Sequence, residues 1–384
     1  MNRPDPTRPR AARLIRVLAL LLAVPLLGAA AVQAQSIGDR LDIFLDATGA
    51  IAPEDGPSAH RVGELDLRTG SAGELLTRVT LEGAFGPEAI EDAASTLAIA
   101  TGYGAGIEEP IARFLREQLG GMAGQGPVRV GVEAYTLELD VQVGEDDAPP
   151  SGRLTLSLPR VEAEAFGPPV ATLGPDDADV VVRAFSDFQC PACRRYALEI
   201  VPSLEDGLLA SGEVRLAFHH LPLTSIHANA VPAAEAAQCV ADRLGDDVFW
   251  PYHDLVFERQ QAWSSLGEPT PYFVRLLRDL DETLLAEAVA LGADADTSPA
   301  DRAVEEISAC LEAGDARADV QAALDRAAML RLSSTPSVFV GGYRLDRFGS
   351  ADAYARLVRL HLAVTGEAEA AVPADAEADA GAGD

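Results

Sequence analysis

Residues 180–193 read VVVRAFSDFQCPAC. The apolar run Val180-Val181-Val182 predicts a short buried strand, and the segment after Pro191 has helical periodicity, so Cys190 and Cys193 fall three positions apart at a strand-to-helix junction. Such a junction makes cysteine reactive. Unpaired backbone N–H groups and the positive end of the helix dipole both favour thiolate over thiol. Cys190, at the helix start, is the expected nucleophile.

Moving outward, the helix carries Tyr196, Ile200, Leu204 and Leu208 on one face, with a kink expected at Pro202. A strand is expected over Val214 to Phe218. About a hundred residues, 226–329, then read as helix after helix: Val231 to Leu244, Val248 to Trp263, Pro271 to Leu280, Glu282 to Leu291, Asp301 to Ala313 and Val320 to Met329. Strand character returns at Pro336 to Val340, and Gly341-Gly342 turns the chain into Tyr343 to Leu345. A last helix has Tyr354, Leu357, Val358, His361 and Leu362 on one stripe. The order is a β-α-β half and a β-β-α half separated by a helical insert.

The N-terminal part is organised differently. Residues 1–34 hold five arginines, an apolar run from Val17 to Val32 and Val32-Gln33-Ala34 at its end, the pattern of a cleaved signal peptide, with an uncleaved membrane anchor as the competing reading. Residues 35–165 alternate between helix and strand periods and predict a smaller α+β domain of unknown role. Val128, Val130 and Val132 alternate in one phase and Tyr135 to Val143 in the other, which predicts a bulge or bend near Ala134. The proline- and glycine-containing stretch 166–178 is expected as the linker. A thioredoxin-like second domain is expected over 179–365, and the alanine- and acid-rich stretch 366–384 as a disordered tail.

The chain has 60 acidic and 30 basic residues and a net charge of −30. Removing the leader leaves 25 basic against 59 acidic residues, close to −34. A surface this acidic argues against nucleic acid and anionic lipid as partners. Four cysteines allow three pairings. Only Cys190 with Cys193 is local, which leaves Cys239 and Cys310 as the other natural pair, a 71-residue loop worth about 4 kcal/mol if closed. A Cys-x-x-Cys is also half of a zinc site, but no second close pair accompanies it, so no metal is expected. His219 and His220 end a strand, where alternation sends one inward and one outward, as core or surface groups rather than ligands. His227 and His253 read as packing or capping residues of the insert.

Together, Phe185 to Cys193, the stretch Phe249-Trp250-Pro251-Tyr252-His253-Asp254 and Ser334-Thr335-Pro336-Ser337 followed by Phe339-Val340-Gly341-Gly342 resemble the DsbA-type thiol-disulfide oxidoreductases of the thioredoxin superfamily. The resemblance covers about residues 176–365. It implies an α/β thioredoxin fold with a helical insertion, an exposed low-pKa Cys190, a more buried resolving Cys193, and a cis Thr335-Pro336 bond against the sulfurs. It further implies no cofactor beyond the redox-active pair, reduced or unfolded exported proteins as clients, a membrane quinone-linked thiol oxidase as electron partner, and a periplasmic or cell-envelope location. Two departures limit the oxidant. Ala192 offers no side-chain donor to the thiolate, and Ala184 stands six positions before Cys190, where related proteins commonly carry a carboxylate. The same motifs also fit a disulfide isomerase or reductase, and a client-binding chaperone with incidental thiols is the reading from a different class.

Overall fold

The computed structural model describes residues 36–52, 60–146, 148–289 and 297–371. The expected signal peptide lies outside the described residues. The chain divides into two compact units, Met1–Pro159 with Ala363–Asp384, and Arg160–Leu362.

In the first unit, after α1 (Leu41–Thr48), come strands β1 (His60–Val62), β2 (Leu65–Ala72) and β3 (Leu75–Ala84), then α2 (Pro87–Thr101) and α3 (Ala105–Met122), then β4 (Val128–Val132), β5 (Tyr135–Gln142) and β6 (Ser151–Ser157). The strands form one antiparallel sheet in the order β1-β2-β3-β6-β5-β4. Alternation drives this arrangement: Leu137, Leu139 and Val141 of β5 and Leu154 and Leu156 of β6 are buried, while the residues between them stay partly exposed. The phase change at Ala134 is not a bulge within one strand. It is a tight hairpin in which Val132 pairs with Tyr135, and Glu133, at φ 52°, takes the left-handed conformation the turn needs.

The second unit starts earlier than its sequence suggests. The stretch 166–178, expected as a linker, is built into the sheet: Phe166 ends α4 (Ala163–Phe166) fully buried, and β7 (Ala171–Leu173) pairs with a later strand. Asp246 holds β7 in place by accepting from the backbone N–H and hydroxyl of Thr172 at 2.8 and 2.9 Å. Three residues between proline-containing segments are too short a run to show a strand period.

Strand β8 (Val180–Ser186) leads to α5 (Pro191–Arg195), a π-turn at Tyr196–Ile200 and α6 (Val201–Glu205), and the chain returns as β9 (Val214–His220), parallel to β8. The π-turn precedes Pro202, whose missing N–H interrupts the ladder as expected. The insert follows as α7 (Ala230–Leu244), α8 (Asp246–Glu258), α9 (Gln260–Trp263), α10 (Thr270–Leu276), α11 (Glu282–Ala288), α12 (Pro299–Ala313) and α13 (Arg317–Met329). Asp281 and Ser298 cap α11 and α12 by accepting from backbone N–H groups of the first turn. The insert packs on the sheet through Phe188, Phe218, Phe249, His253 and Phe257, whose rings lie 4.9 to 5.7 Å apart in a connected cluster.

Strands β10 (Ser337–Val340) and β11 (Tyr343–Leu345) complete a five-stranded sheet in the order β11-β10-β8-β9-β7. Their turn requires glycine. Gly341 and Gly342 have φ 55° and 96°, and a Cβ on either would come within 2.3 Å of the His361 ring or the Val161 carbonyl. Helix α14 (Ala351–Ala371) runs past Gly366 into the expected tail, and residues 372–384 lie outside the described residues.

His219 and His220 point to opposite faces, but both are buried, because each face of the sheet is covered. His219 stacks on Phe185 at 4.6 Å, and His220 lies beside Phe218 and Phe188.

Candidate active site: two thiols at the start of a helix

Cys190 occupies the N-cap position of α5, in extended conformation, with Pro191 at the first helical position. The helix therefore turns its first free N–H groups toward the Cys190 sulfur. Across the site, Thr335 and Pro336 immediately precede β10, joined by a cis peptide bond. The pairing of β10 with β8, Ser337 opposite Phe185, brings them to the sulfurs, and the Cys190 thiol donates to the Thr335 carbonyl at 3.6 Å.

Both cysteines are free thiols. Cys190 is less open than expected, at 8% exposure, because the insert and the Thr335-Pro336 segment ahead of β10 close over it, while Cys193 is fully enclosed at 0%. Their acidities diverge. The Cys190 thiol is held down at about 5, chiefly by the Cys193 thiol that donates to it, then by the Thr335 side chain and the backbone N–H groups of Cys193 and Ala192, against the opposing effect of burial. Ala192 thus contributes through its backbone where its side chain cannot. Burial pushes the Cys193 thiol well up, the nearby Cys190 sulfur adds to this, and only the Ser186 and Thr335 side chains oppose it. The Asp187 backbone N–H donates to the Cys193 sulfur at 3.5 Å.

Asp187, which as the carboxylate three positions before Cys190 is also a candidate substitute for the acid missing at Ala184, holds this loop in place together with Gln189, Asn229 and Gln260. Asp187 has a fully enclosed carboxylate that accepts from Gln189 N at 2.7 Å, Leu223 N at 2.8 Å and the His227 ring at 2.6 Å. From the insert, Gln260 donates to the carbonyls of Phe188 and Cys190 at 2.8 and 3.1 Å, and Arg194 donates back to the Phe257 carbonyl. Gln189 donates to the Ser264 carbonyl and accepts from Asn229 N, while the Asn229 amide reaches the carbonyls of Trp263, Ser264 and Leu266. Asp187 and Gln189 belong to the motif before Cys190, whereas Asn229 and Gln260 show in the sequence only as polar residues in or beside apolar helical stretches.

Cys239 and Cys310 are joined by a disulfide that links α7 to α12 within the insert core. Ala184 lies in the middle of β8, between Phe218 of β9 and Val338 of β10, and is 2% exposed. Among the described residues, no group of three or more His, Cys, Asp or Glu side chains could hold a metal ion, and no helix is long and apolar enough to cross a membrane.

Fold and thiol pair together define a thioredoxin-fold thiol-disulfide oxidoreductase. The family model described as Thioredoxin matches residues 168–359, half of the chain. A probable disulfide bond formation protein D of Bacillus cereus is 28% identical over 171 residues, covering 44% of this chain and 69% of that protein. The Na(+)/H(+) antiporter NhaA 3 of Salinispora tropica is 33% identical over 171 residues, which is 44% of this chain but only 21% of that longer protein. Among solved structures, oxidised BdbD from Bacillus subtilis is 21% identical with a TM-score of 0.40, covering 53% of this chain and 96% of that one. The chain belongs to the thioredoxin family and is a thiol-disulfide oxidoreductase. The whole of the first unit lies outside the family match.

Proposed function

We propose that the protein is exported and introduces disulfides into extracytoplasmic proteins through Cys190 and Cys193. The observation that carries this reading is the placement of two free thiols, Cys190 at the N-cap of α5 beside the Thr335 carbonyl and Cys193 fully enclosed behind it, which lowers the Cys190 thiol and raises the Cys193 thiol. A thiol that is thiolate at neutral pH is a good leaving group, and stabilising it favours the reduced protein. The oxidised protein is then the stronger oxidant.

In the oxidised protein, a client thiolate attacks the Cys190 sulfur. A bond forms between client and Cys190, the Cys190–Cys193 bond breaks, and Cys193 leaves with the electron pair. A second client thiolate then attacks the client sulfur of the mixed disulfide and displaces Cys190 as its stabilised thiolate. The client loses two electrons and the cysteine pair gains them. Thr335 and Pro336 are the residues beside which the client segment lies. The backbone just ahead of β10, before the paired residues Ser337–Val340, supports binding of an extended client. The apolar leader of residues 1–34 supports export to the periplasm or cell envelope, and a membrane quinone-linked thiol oxidase is the partner that would reoxidise the pair.

The test pairs refolding of a reduced, disulfide-containing client with reduction of insulin. The oxidase reading expects catalysed refolding from the oxidised protein, lost in Cys190→Ala. Efficient insulin reduction with no oxidative refolding would assign the protein to the reducing direction instead.

A further inference from the structure

The backbone of Asp187 touches both cysteines. Its N–H donates to the Cys193 sulfur at 3.5 Å, and its carbonyl accepts from the Cys190 N–H at 3.0 Å. Asp187 follows the last residue of β8 and has no strand partner, so sheet pairing does not fix these two peptides. The Asp187 side chain does. One carboxylate oxygen accepts from Gln189 N at 2.7 Å, and the other from Leu223 N at 2.8 Å and from His227 Nδ1 at 2.6 Å. Leu223 and His227 lie on the loop between β9 and α7, which is itself tied down by Leu221 N donating to the Ser186 carbonyl and His227 N to the Leu223 carbonyl. Three donors meet the charge of an enclosed carboxylate, which makes the anchor strong and directional.

We propose that the Asp187 N–H is the donor that receives the Cys193 thiolate when a client opens the disulfide, and that His227, acting through the Asp187 carboxylate, holds that donor on target. This rests on the exchange reading above. In the step concerned the client–Cys190 bond forms, the Cys190–Cys193 bond breaks, and the negative charge passes from the client sulfur to the Cys193 sulfur, with no proton moved. The charge arrives at a fully enclosed atom, where burial disfavours it. A donor already aimed at the sulfur lowers that barrier without reorganising. The Ser186 and Thr335 side chains favour the same thiolate, but a hydroxyl rotates and a peptide N–H does not.

His227 is therefore a positioning residue. Its side chain is 16% exposed, at the outer end of a line of contacts that runs through an Asp187 side chain at 0% to the Cys193 sulfur. Without the ring, the outer carboxylate oxygen keeps only the Leu223 N–H, and the Asp187 peptide is free to turn its N–H off the sulfur. The less compensated carboxylate charge would also oppose a thiolate beside it. Both effects slow the departure of Cys193. The departure of Cys190 relies on other donors, the Cys193 and Ala192 N–H groups at the start of α5, and Gln260 of the insert holds that helix start by its bond to the Cys190 carbonyl.

The experiment times the two steps separately in the full chain. Rapid mixing of the oxidised protein with a fluorescent cysteine peptide reads attack on Cys190, in which Cys193 departs. Release of the same peptide by a second thiol, from a mixed disulfide made with Cys193→Ala protein, reads departure of Cys190. His227→Ala should slow the first step about tenfold and leave the second unchanged. His227→Asn, whose amide nitrogen stands where the ring Nδ1 stands, should restore the first. Equal slowing of both steps, as a merely loosened fold would give, would overturn the proposal, and so would an unchanged first step or no recovery in His227→Asn. Should His227→Ala not fold, His227→Leu fills the space without a donor and carries the same comparison. Failure of the oxidised native protein to form any mixed disulfide would overturn the exchange reading and this proposal with it.

Discussion

Thr335 and Cys190 are 145 residues apart in the chain and meet at 3.6 Å, carbonyl oxygen to sulfur. The contact exists because β10 pairs with β8 across the insert. Thr335 Oγ1 is buried without an oxygen or nitrogen partner, so the hydroxyl is left to serve the two sulfurs, on both of which it favours the thiolate. Thr335→Ala should therefore raise the Cys190 pKa from about 5. The pH dependence of thiolate absorbance in the reduced protein reads this directly, and an unchanged midpoint would remove Thr335 from the account.

The depressed Cys190 pKa also makes the reduced protein's stability depend on pH. A group whose folded value lies below its unfolded value, here about 5 against 9.0, adds stability that is full above the unfolded value and is lost as pH falls through the folded one. The oxidised protein has no such group. The melting temperature of the reduced form, relative to the oxidised form, should therefore fall between pH 8 and pH 4. Cys193, raised by burial, stays protonated through this window and does not offset the effect. Calorimetry of both forms checks it.

Asp187 is predicted to matter for stability more than for proton transfer. Its carboxylate satisfies two backbone N–H groups and the His227 ring, and Asp187→Ala would leave those donors enclosed and unmet. The expected loss is about 3 kcal/mol by denaturant titration. A loss below about 1 kcal/mol would mean the loop rearranges to find other acceptors.

The insert disulfide is separate from the exchanging pair. Cys239→Ala with Cys310→Ala opens a loop of 71 residues and should cost about 4 kcal/mol by the chain-entropy estimate. Refolded variant should still exchange through Cys190. Loss of exchange in a variant with native circular dichroism would show the insert bond to be part of the active site.

Much of this was legible in the sequence, because the thioredoxin core is written in local signals: Val180–Val182, Pro191 after Cys190, and Thr335-Pro336 before an apolar strand. The helical insert showed in its 3.6-residue period. What stayed hidden depends on distance or brevity. β7 is three residues long, and its partner lies on β9. The hairpin at Glu133 reads in the sequence only as a bulge or bend, because a phase shift reports only that side chains change face. Asn229, Gln260 and Asp187 act through contacts 34 to 72 residues away, which no local pattern encodes.

The most direct test of the central claim is the redox potential of the Cys190–Cys193 pair, measured by equilibration with glutathione. A thiolate at about 5, with no side-chain donor from Ala192, predicts a value more oxidising than thioredoxin, about −270 mV, and less oxidising than DsbA, about −120 mV, with Ala192→His moving it toward the latter. A potential at or below that of thioredoxin would contradict the account.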